Sequence, residues 1–185
     1  MTFLPTDPIG AVLELRGHGT LQGKGKRLQG YAAVFNTEAD LQGFVEVIRP
    51  GAFTKSLAAG VNIRALYNHQ GSALLGTTQG GTLELREDAK GLAFSLDLPD
   101  TSHGRDLAVL VERGDVAGCS FGFKVRERGD RWENRSGKLV RELLDVDLRE
   151  ITLTADPAYQ DTTLAMRSRP GHTPPGACAL WLETC

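Results

Sequence analysis

Short runs of alternating apolar and polar residues, separated by glycines, dominate this sequence. The chain has 185 residues, of which 22 are glycine, and its apolar runs are only a few residues long. Alternation with a period of two is typical of strands with one buried face, and frequent glycines indicate many turns. The pattern therefore predicts a mainly β fold with a few helices (α+β).

The clearest strand pattern lies at residues 117–125, AGCSFGFKV. Phe121 and Phe123 alternate with Ser120 and Gly122, so the aromatic side chains are expected in the core and Ser120 on the opposite face. Glycines on both sides of Ser120 leave room for another backbone to approach closely, as a nucleophilic serine requires. A serine on a strand is more often a solvated surface residue, so this stretch alone does not assign a function.

The same alternation predicts further strands. They are expected at residues 28–35 (after a Gly-rich stretch), 44–48, 61–67, 74–76, 82–86, 92–98 and 139–154. Residues 36–43 and 126–138 are predicted as polar connections, and residues 87–91 as a hairpin loop. In the last strand the apolar residues change parity at Arg149–Glu150, which predicts a β-bulge or a bend.

Two helices are predicted between these strands. Residues 53–59, closed by Gly60, fit a short helix. Residues 103–113 carry an apolar stripe with helical spacing, and Thr101 or Ser102 precedes them as an N-cap. Gly114 suits the C-terminal end of this helix.

The length of the chain predicts one domain with its own core. Residues 1–12 are predicted to be a flexible leader, residues 13–167 the folded domain, and residues 168–185 a flexible tail rich in proline and glycine. The first residues lack the positive and apolar regions of a signal peptide, which favours an intracellular protein.

Composition narrows the classes of function. The formal net charge is −2, so nothing argues for nucleic acid as a partner, and no apolar run is long enough to cross a membrane. The three cysteines, Cys119, Cys178 and Cys185, have neither the spacing of a zinc site nor that of a disulfide framework. We expect no metal and no cofactor, and the sequence assigns no role to Cys178 or Cys185.

Three residues offer the groups of a nucleophilic triad: Ser120, His69 at the end of a predicted strand, and Glu150. Glu150 has the parity of the apolar residues 144, 146 and 148, and a carboxylate on a buried face needs a partner such as an imidazolium. Asp145 and Asp147, on the other face, are alternatives for the acid. Each of these residues alone is more often structural, and triads are recognised by geometry, not by order in the chain.

Cys119, directly before Ser120, raises the alternative of thiol chemistry. It shares the parity of Phe121 and Phe123, so it is expected to be buried and to behave as a small hydrophobic residue.

Several short segments occur together in one order over residues 28–165. They are GYAAVF (30–35), IRPGAF (48–53), LYNH (66–69), LG (75–76), DAKGL (88–92), CSFGF (119–123), LREITL (148–153) and PAY (157–159). In this order the chain resembles the prohead maturation proteases of tailed bacteriophages, which are serine peptidases related to the herpesvirus assemblins.

This resemblance implies a small closed or partly open β-barrel surrounded by short helices, with residues 13–167 as the prohead protease domain. It also implies a serine endopeptidase with Ser120 as nucleophile, His69 as general base and Glu150 as the acid that orients the base. The third assignment is the most variable, since assemblins use a second histidine there. The oxyanion donor stays open between backbone amides near Gly118 or Gly122 and the side chain of Arg149.

The implied substrates are the major capsid protein precursor or its scaffold segment, and the chain itself, inside the immature capsid (prohead) in the host cytoplasm. The resemblance leaves the oligomeric state open, although assemblins dimerise to become active. Two alternatives remain at this stage. One is a catalytically silent β-barrel that serves as an assembly or scaffold module of the prohead, and the other is a non-proteolytic esterase that uses the same residues.

Overall fold

A computed structural model describes residues 13–155, apart from residues 25 and 42. In this part of the chain the elements are β1 (Glu14–Lys24), β2 (Arg27–Val34), β3 (Glu38–Asp40), β4 (Val45–Ile48), α1 (Thr54–Ala58), β5 (Arg64–Tyr67), β6 (Gln70–Thr77), β7 (Leu83–Glu87), β8 (Gly91–Asp97), α2 (Ser102–Arg113), β9 (Gly118–Val125), β10 (Asp130–Arg135), β11 (Lys138–Leu143) and β12 (Val146–Thr154). The predicted mainly β fold with few helices is confirmed.

Eight strands form the main sheet in the order β6-β5-β12-β9-β1-β2-β8-β7. All neighbours are antiparallel except β12 and β5, which are parallel. The two edge strands, β6 and β7, are joined by a short turn in which the Thr82 N–H donates to the Thr77 carbonyl over 3.3 Å. The sheet therefore curls into a nearly closed barrel, as the resemblance implied.

Four strands form a second sheet in the order β10-β11-β4-β3. Glu46 on β4 and Arg141 on β11 contact Glu14 and Arg16 on β1, and all four side chains are buried. Arg16 and Arg141 each bind both carboxylates. We call these four residues the inter-sheet cluster, because they join the second sheet to the barrel.

The barrel core contains the apolar face of β9. The ring of Phe121 stacks on Phe123 with centroids 5.2 Å apart and meets Phe53 edge-on at 5.4 Å. Phe53 immediately precedes α1, so this helix covers one end of the core. The predicted inward orientation of the aromatic residues on β9 is confirmed.

Helix α2 leads directly to β9 and ends where the sequence predicts. The Thr101 side chain accepts a hydrogen bond from the Gly104 N–H, and Gly114 follows the last turn with a φ of 81°. This left-handed conformation favours glycine, so the end of the helix is fixed just before the strand that carries Ser120.

Three stretches form strands that were not predicted. Residues 36–43, predicted as a polar connection, contain β3. The Gly-rich stretch before residue 28 forms β1, where a Cβ on Gly19 would lie 2.2 Å from the Tyr31 carbonyl oxygen. Glycine at this position allows β1 and β2 to approach closely, which the local pattern does not reveal. The charged stretch 126–138 contains β10, an edge strand of the second sheet, and edge strands tolerate charge.

The predicted long strand 139–154 is two strands, β11 and β12. Leu144 lies between them and is 39% exposed, so its expected place on the apolar face was wrong. The leader 1–12 and the tail 168–185 lie outside the described residues, as do Cys178 and Cys185. Neither of the helices described above has the length and apolarity needed to cross a membrane.

Candidate active site

His69 lies in a two-residue turn between β5 and β6. Asn68 has a φ of 49° and His69 a φ of 56°, and the flanking residues Tyr67 and Gln70 are paired. Asparagine adopts positive φ readily, but histidine does so less often, and residues held in such conformations concentrate at functional sites. The tight turn projects the imidazole from the end of β5, where the sequence predicts it.

Two hydrogen bonds anchor His69 to β12. Its backbone N–H donates to Thr152 Oγ1 over 3.0 Å, and its Nδ1 lies 2.9 Å from Glu150 Oε1. Because an ionised carboxylate can only accept, Nδ1 carries the proton in this pair. The neutral ring then keeps a lone pair on Nε2, which is the atom that a general base uses.

Glu150 is almost fully buried and is held by two partners. Its side chain is 5% exposed, and Oε2 lies 3.2 Å from Arg64 Nη2. Arg64 stands beside Glu150 because the parallel strands β5 and β12 pair these two residues. The guanidinium balances the carboxylate charge, so Glu150 stays in place as an acceptor for the histidine.

A β-bulge determines where Glu150 points. The register between β12 and β9 shifts between Leu148 and Glu150, which confirms the predicted bulge. Leu148 pairs with Phe123 on the core face, whereas Glu150 pairs with Gly122 on the other face. The expectation that Glu150 shares the apolar face was therefore wrong, because the extra residue reverses its orientation.

Gly122 provides space for the Glu150 side chain. A Cβ on Gly122 would lie 2.8 Å from Glu150 Cγ, a distance that real Cβ atoms essentially never show. From the sequence, the space at this glycine was expected to admit another backbone. In the structure the Glu150 side chain fills it. A side chain at position 122 would therefore force Glu150 to shift.

Ser120 lies on the same face of the sheet as Glu150. It pairs with Thr152 on β12, and directly opposite residues have Cβ atoms about 5 Å apart. Thr152, which binds the His69 backbone, is thus the common neighbour of the candidate nucleophile and the candidate base. The structure brings the three predicted residues to one patch on the face of the sheet opposite the core.

The last contact of a nucleophilic triad is not formed in this structure. His69 Nε2 is buried and has no hydrogen-bond partner within the described part of the chain, and Ser120 has no exposed surface. Without substrate, catalytic hydrogen bonds are often long or poorly aligned and tighten only when substrate binds. The patch therefore contains an oriented imidazole, whose Nε2 has no partner among the described residues, near the buried side chain of Ser120.

Sequence analysis missed Arg64 and Thr152. Arg64 occurs in a predicted strand with no sign of its partner, because its role depends on the parallel pairing of β5 with β12. Thr152 had a detectable signal, since it follows Glu150 by two residues and so shares its face.

Cys119 points away from this patch. It is fully buried among the core residues, as predicted, and burial raises the pKa of its thiol to about 12. The thiolate is therefore not present near neutral pH, which disfavours Cys119 as a nucleophile.

Asp145 and Asp147, the alternative acids, bind other partners. Asp145 lies 2.7 Å from Lys55 and 3.5 Å from Arg126, and Asp147 lies 2.5 Å from Arg149. The contact to the candidate histidine is made by Glu150. Among the described residues, no three His, Cys, Asp or Glu side chains converge as metal ligands would.

Comparison with known proteins adds a family to this geometry. Residues 13–173 match the family described as caudovirus prohead serine proteases. The chain belongs to this family. The resemblance drawn from the ordered sequence segments is thereby confirmed, and the prohead serine proteases are, by their description, serine-type hydrolases.

A solved structure shares the fold of this prohead protease family member. The capsid assembly protease gp21 of bacteriophage T4 aligns with a TM-score of 0.52 over 79% of this chain and 98% of its own. The two sequences are only 7% identical, so this likeness shows the fold alone. None of the curated proteins matches this chain in sequence.

Proposed function

We propose that this prohead protease is a serine endopeptidase in which Ser120 is the nucleophile, His69 the general base and Glu150 the residue that orients the base. The observation that carries the proposal is the His69–Glu150 contact of 2.9 Å, which leaves Nε2 without a partner on the patch that contains Ser120. A nucleophile, a base and an orienting acid are the parts that acyl transfer requires.

The proposed reaction follows from these positions. Nε2 of His69 takes the proton of the Ser120 hydroxyl while Oγ attacks the carbonyl carbon of the scissile peptide bond. The resulting imidazolium is stabilised by Glu150, and it returns the proton to the leaving amine as the C–N bond breaks. Water then attacks the acyl-enzyme ester with the same base, which releases the carboxylate product and restores Ser120.

Glu150 and Arg64 act on the base and not on the substrate. Glu150 fixes the tautomer that leaves Nε2 free, and Arg64 neutralises the carboxylate from the neighbouring strand. The turn that carries His69 is held to β12 by Thr152. Geometry of this kind supports a base whose orientation is set before substrate arrives.

The family and the structural likeness support capsid proteins as substrates. The family is named for the prohead, and the protein with the shared fold is named a capsid assembly protease. We infer that the chain cleaves the major capsid protein precursor or its scaffold segment inside the immature capsid, in the host cytoplasm, and that it cleaves itself. The proline- and glycine-rich tail after Ser168 is the expected site of self-cleavage.

One observation favours a second function. Ser120 is fully buried and His69 Nε2 lacks a partner, which would also suit a catalytically silent barrel that acts as an assembly module. In the protease proposal, the same burial means that neighbouring residues must shift before a peptide carbonyl reaches Ser120.

Co-expression with the neighbouring major capsid protein separates the two functions. Intact masses of both proteins would be recorded for the wild-type chain, for Ser120→Ala, and for Ser72→Ala as a control at an exposed serine on β6. The proposal expects shortened products with the wild type and Ser72→Ala, and uncut chains with Ser120→Ala. Unchanged masses in all three cases would support the assembly module.

A further inference from the structure

A groove of about 820 Å³ lies on the outer face of strands β1, β2, β8 and β7. Its walls include Thr20, Tyr31, Arg86, Lys90 and Ala93, and we call it the basic groove. It lies outside the patch formed by Ser120, His69 and Glu150, and the proposed catalytic steps do not use it.

The register of the sheet connects the basic groove to Ser120. Gly118 lies two residues before Ser120 on β9, so the two positions belong to the same face of the sheet. Gly118 pairs with Thr20 on β1. Thr20 pairs with Tyr31, Tyr31 with Ala93, and Ala93 with Arg86. Directly opposite residues share a face, so one continuous row crosses the sheet from Gly118, two residues from the candidate nucleophile, to the far wall of the groove.

The groove is lined by more cationic than anionic side chains. Three cationic side chains line it, from Arg27, Arg86 and Lys90, against one carboxylate, Glu84. Arg27 is already balanced, because it lies 3.4 Å from Glu84 and 3.4 Å from Asp97. Arg86 makes a longer contact, 3.8 Å to Asp88, so the charges left to meet a ligand are those of Lys90 and the loosely paired Arg86.

The side chains of Arg86 and Lys90 lie near Tyr31 and are available to a ligand. The side chain of Arg86 is 74% exposed, and among the described residues its carboxylate partner is Asp88, at 3.8 Å. The Lys90 ammonium lies 4.4 Å from the centre of the Tyr31 ring, and the ring is fixed by a hydrogen bond of 2.9 Å from its hydroxyl to Asp88. In the part of the chain that the structure describes, Lys90 has no carboxylate partner.

We propose that the basic groove binds an extended segment of the protein substrate and selects an acidic side chain in it. This inference rests on the proposed protease function, because it places the segment beside the bond that Ser120 attacks. Arg86 and Lys90 would bind the acidic side chain, while the Tyr31 ring and Ala93 would contact the apolar parts of the peptide. The charge of the groove thus matches a carboxylate and disfavours a cationic side chain.

The strand spacing sets where the acidic residue lies. Neighbouring strands are about 4.8 Å apart and residues on a strand advance about 3.3 Å each. Tyr31 lies two strands from Ser120 and Arg86 lies four strands from it, and both are offset by two residues along the strand direction. The resulting distances from Ser120 are about 12 Å for Tyr31 and about 20 Å for Arg86. An extended peptide covers these distances in about four to six residues, so the acidic residue lies about that far from the cleaved bond.

A binding experiment tests the groove separately from catalysis. Fluorescent twelve-residue peptides that tile the capsid precursor would be titrated into the full-length Ser120→Ala chain and followed by anisotropy. The best binder would be resynthesised with its acidic residues changed one at a time to the matching amides. We expect one such change to weaken binding about tenfold, and less at high salt because the charges are screened.

Groove variants assign that effect to its residues. In the Ser120→Ala chain, Arg86→Gln combined with Lys90→Gln should abolish the difference between the acidic and the amide peptide. Arg113→Gln is the matched control, since Arg113 is 67% exposed and pairs with an aspartate two residues later, as Arg86 does, but lies on α2. This control should keep the full difference.

The outcomes distinguish this inference from the proposed function. Equal binding of acidic and amide peptides, an unchanged preference in the double variant, or no binding by any peptide would each overturn the groove proposal. Acid-selective binding together with uncut chains on co-expression would keep the groove and overturn the protease. Cleavage on co-expression without acid-selective binding would keep the protease proposal and overturn the groove proposal.

Discussion

Two groups of buried charges in this molecule use their partners differently. In the inter-sheet cluster, Arg16 and Arg141 each bind both Glu14 and Glu46, and Arg141 also binds Asp130 over 2.8 Å. All four buried charges are therefore paired, and we call this a closed set. In the candidate site, Glu150 binds His69 and Arg64, but the far nitrogen of His69 binds nothing among the described residues. Both groups are buried, and only one of them has an unused acceptor.

The difference separates structural charges from reactive ones. A closed set of ion pairs has no group left to bind a substrate. Removing one member destabilises the fold, because its partner's charge then stays buried without compensation. A buried nitrogen with no partner costs free energy, so its position needs an explanation beyond stability. Variants in the cluster should therefore change stability, and variants in the site should change activity.

The largest expected effect comes from His69→Asn. Asparagine accepts a positive φ, so the turn between β5 and β6 should persist while the base is lost. We expect the rate of precursor cleavage to fall at least about 1000-fold, with a change in stability of no more than about 1 kcal/mol. Cleavage rates from time-resolved masses and unfolding in urea give the two quantities.

His69→Asn also tests the comparison itself. Near wild-type cleavage would mean that the unpartnered nitrogen is not the base. Glu150→Gln serves as the companion variant, because it keeps the size of the side chain and removes the charge that holds the tautomer. It should lower the cleavage rate by about 100-fold or more without unfolding the chain.

Arg141→Met should have the opposite profile. It leaves Glu14 and Glu46 with a single guanidinium and removes a partner of the partly exposed Asp130, so one negative charge is buried without balance. We expect the free energy of unfolding in urea to fall by about 3–5 kcal/mol while the folded fraction cleaves at the normal rate. Adding Glu14→Gln should restore part of the stability, and a failure to do so would contradict the view of a closed set.

The sequence predicted much of the barrel because its strands are locally encoded. The alternation around Phe121 and Phe123 required a buried face, and the caps at Thr101 and Gly114 fixed α2. The β1 strand escaped prediction because its glycines, such as Gly19, are there for contacts with β2 and β9 that are distant in sequence.

The candidate site was predicted in part for a similar reason. Ser120, His69 and Glu150 were found through strand parity and the resemblance to prohead proteases. The orientation of Glu150 depends on a bulge, and its second partner, Arg64, depends on parallel pairing of β12 with β5. Neither feature can be derived from periodicity, since both arise when separate strands meet.

Glu142 is another buried carboxylate whose charge is fully paired, and a smaller effect on stability is expected from its removal than from that of Arg141. Its buried carboxylate binds Arg49 and Arg131, and these contacts lower its pKa to about 2 from an ordinary 4.5. The stabilisation is therefore complete above pH 4.5 and is lost as the pH falls from 4.5 to 2. Glu142→Gln should cost about 2 kcal/mol at pH 7, less than Arg141→Met, because exposed arginines regain water.

The pH dependence is measured as a difference between two chains. Unfolding in urea would be compared for wild type and Glu142→Gln at pH 7 and pH 3, so that other carboxylates contribute equally to both. The gap in stability should narrow at pH 3. A gap that stays constant with pH would show that Glu142 acts through packing and not through its charge.

The smallest effect is expected at Cys119, which shares β9 with Ser120 but faces the core. Its thiol has a pKa of about 12 because of burial, so it carries no charge at neutral pH. Cys119→Ala should leave the cleavage rate within about threefold of wild type and cost about 1 kcal/mol of stability through a small cavity. In the native chain iodoacetamide should leave Cys119 unmodified, as peptide masses would reveal. Loss of cleavage in Cys119→Ala with retention in Ser120→Ala would instead place the nucleophile on the core face and reverse the comparison on which the site rests.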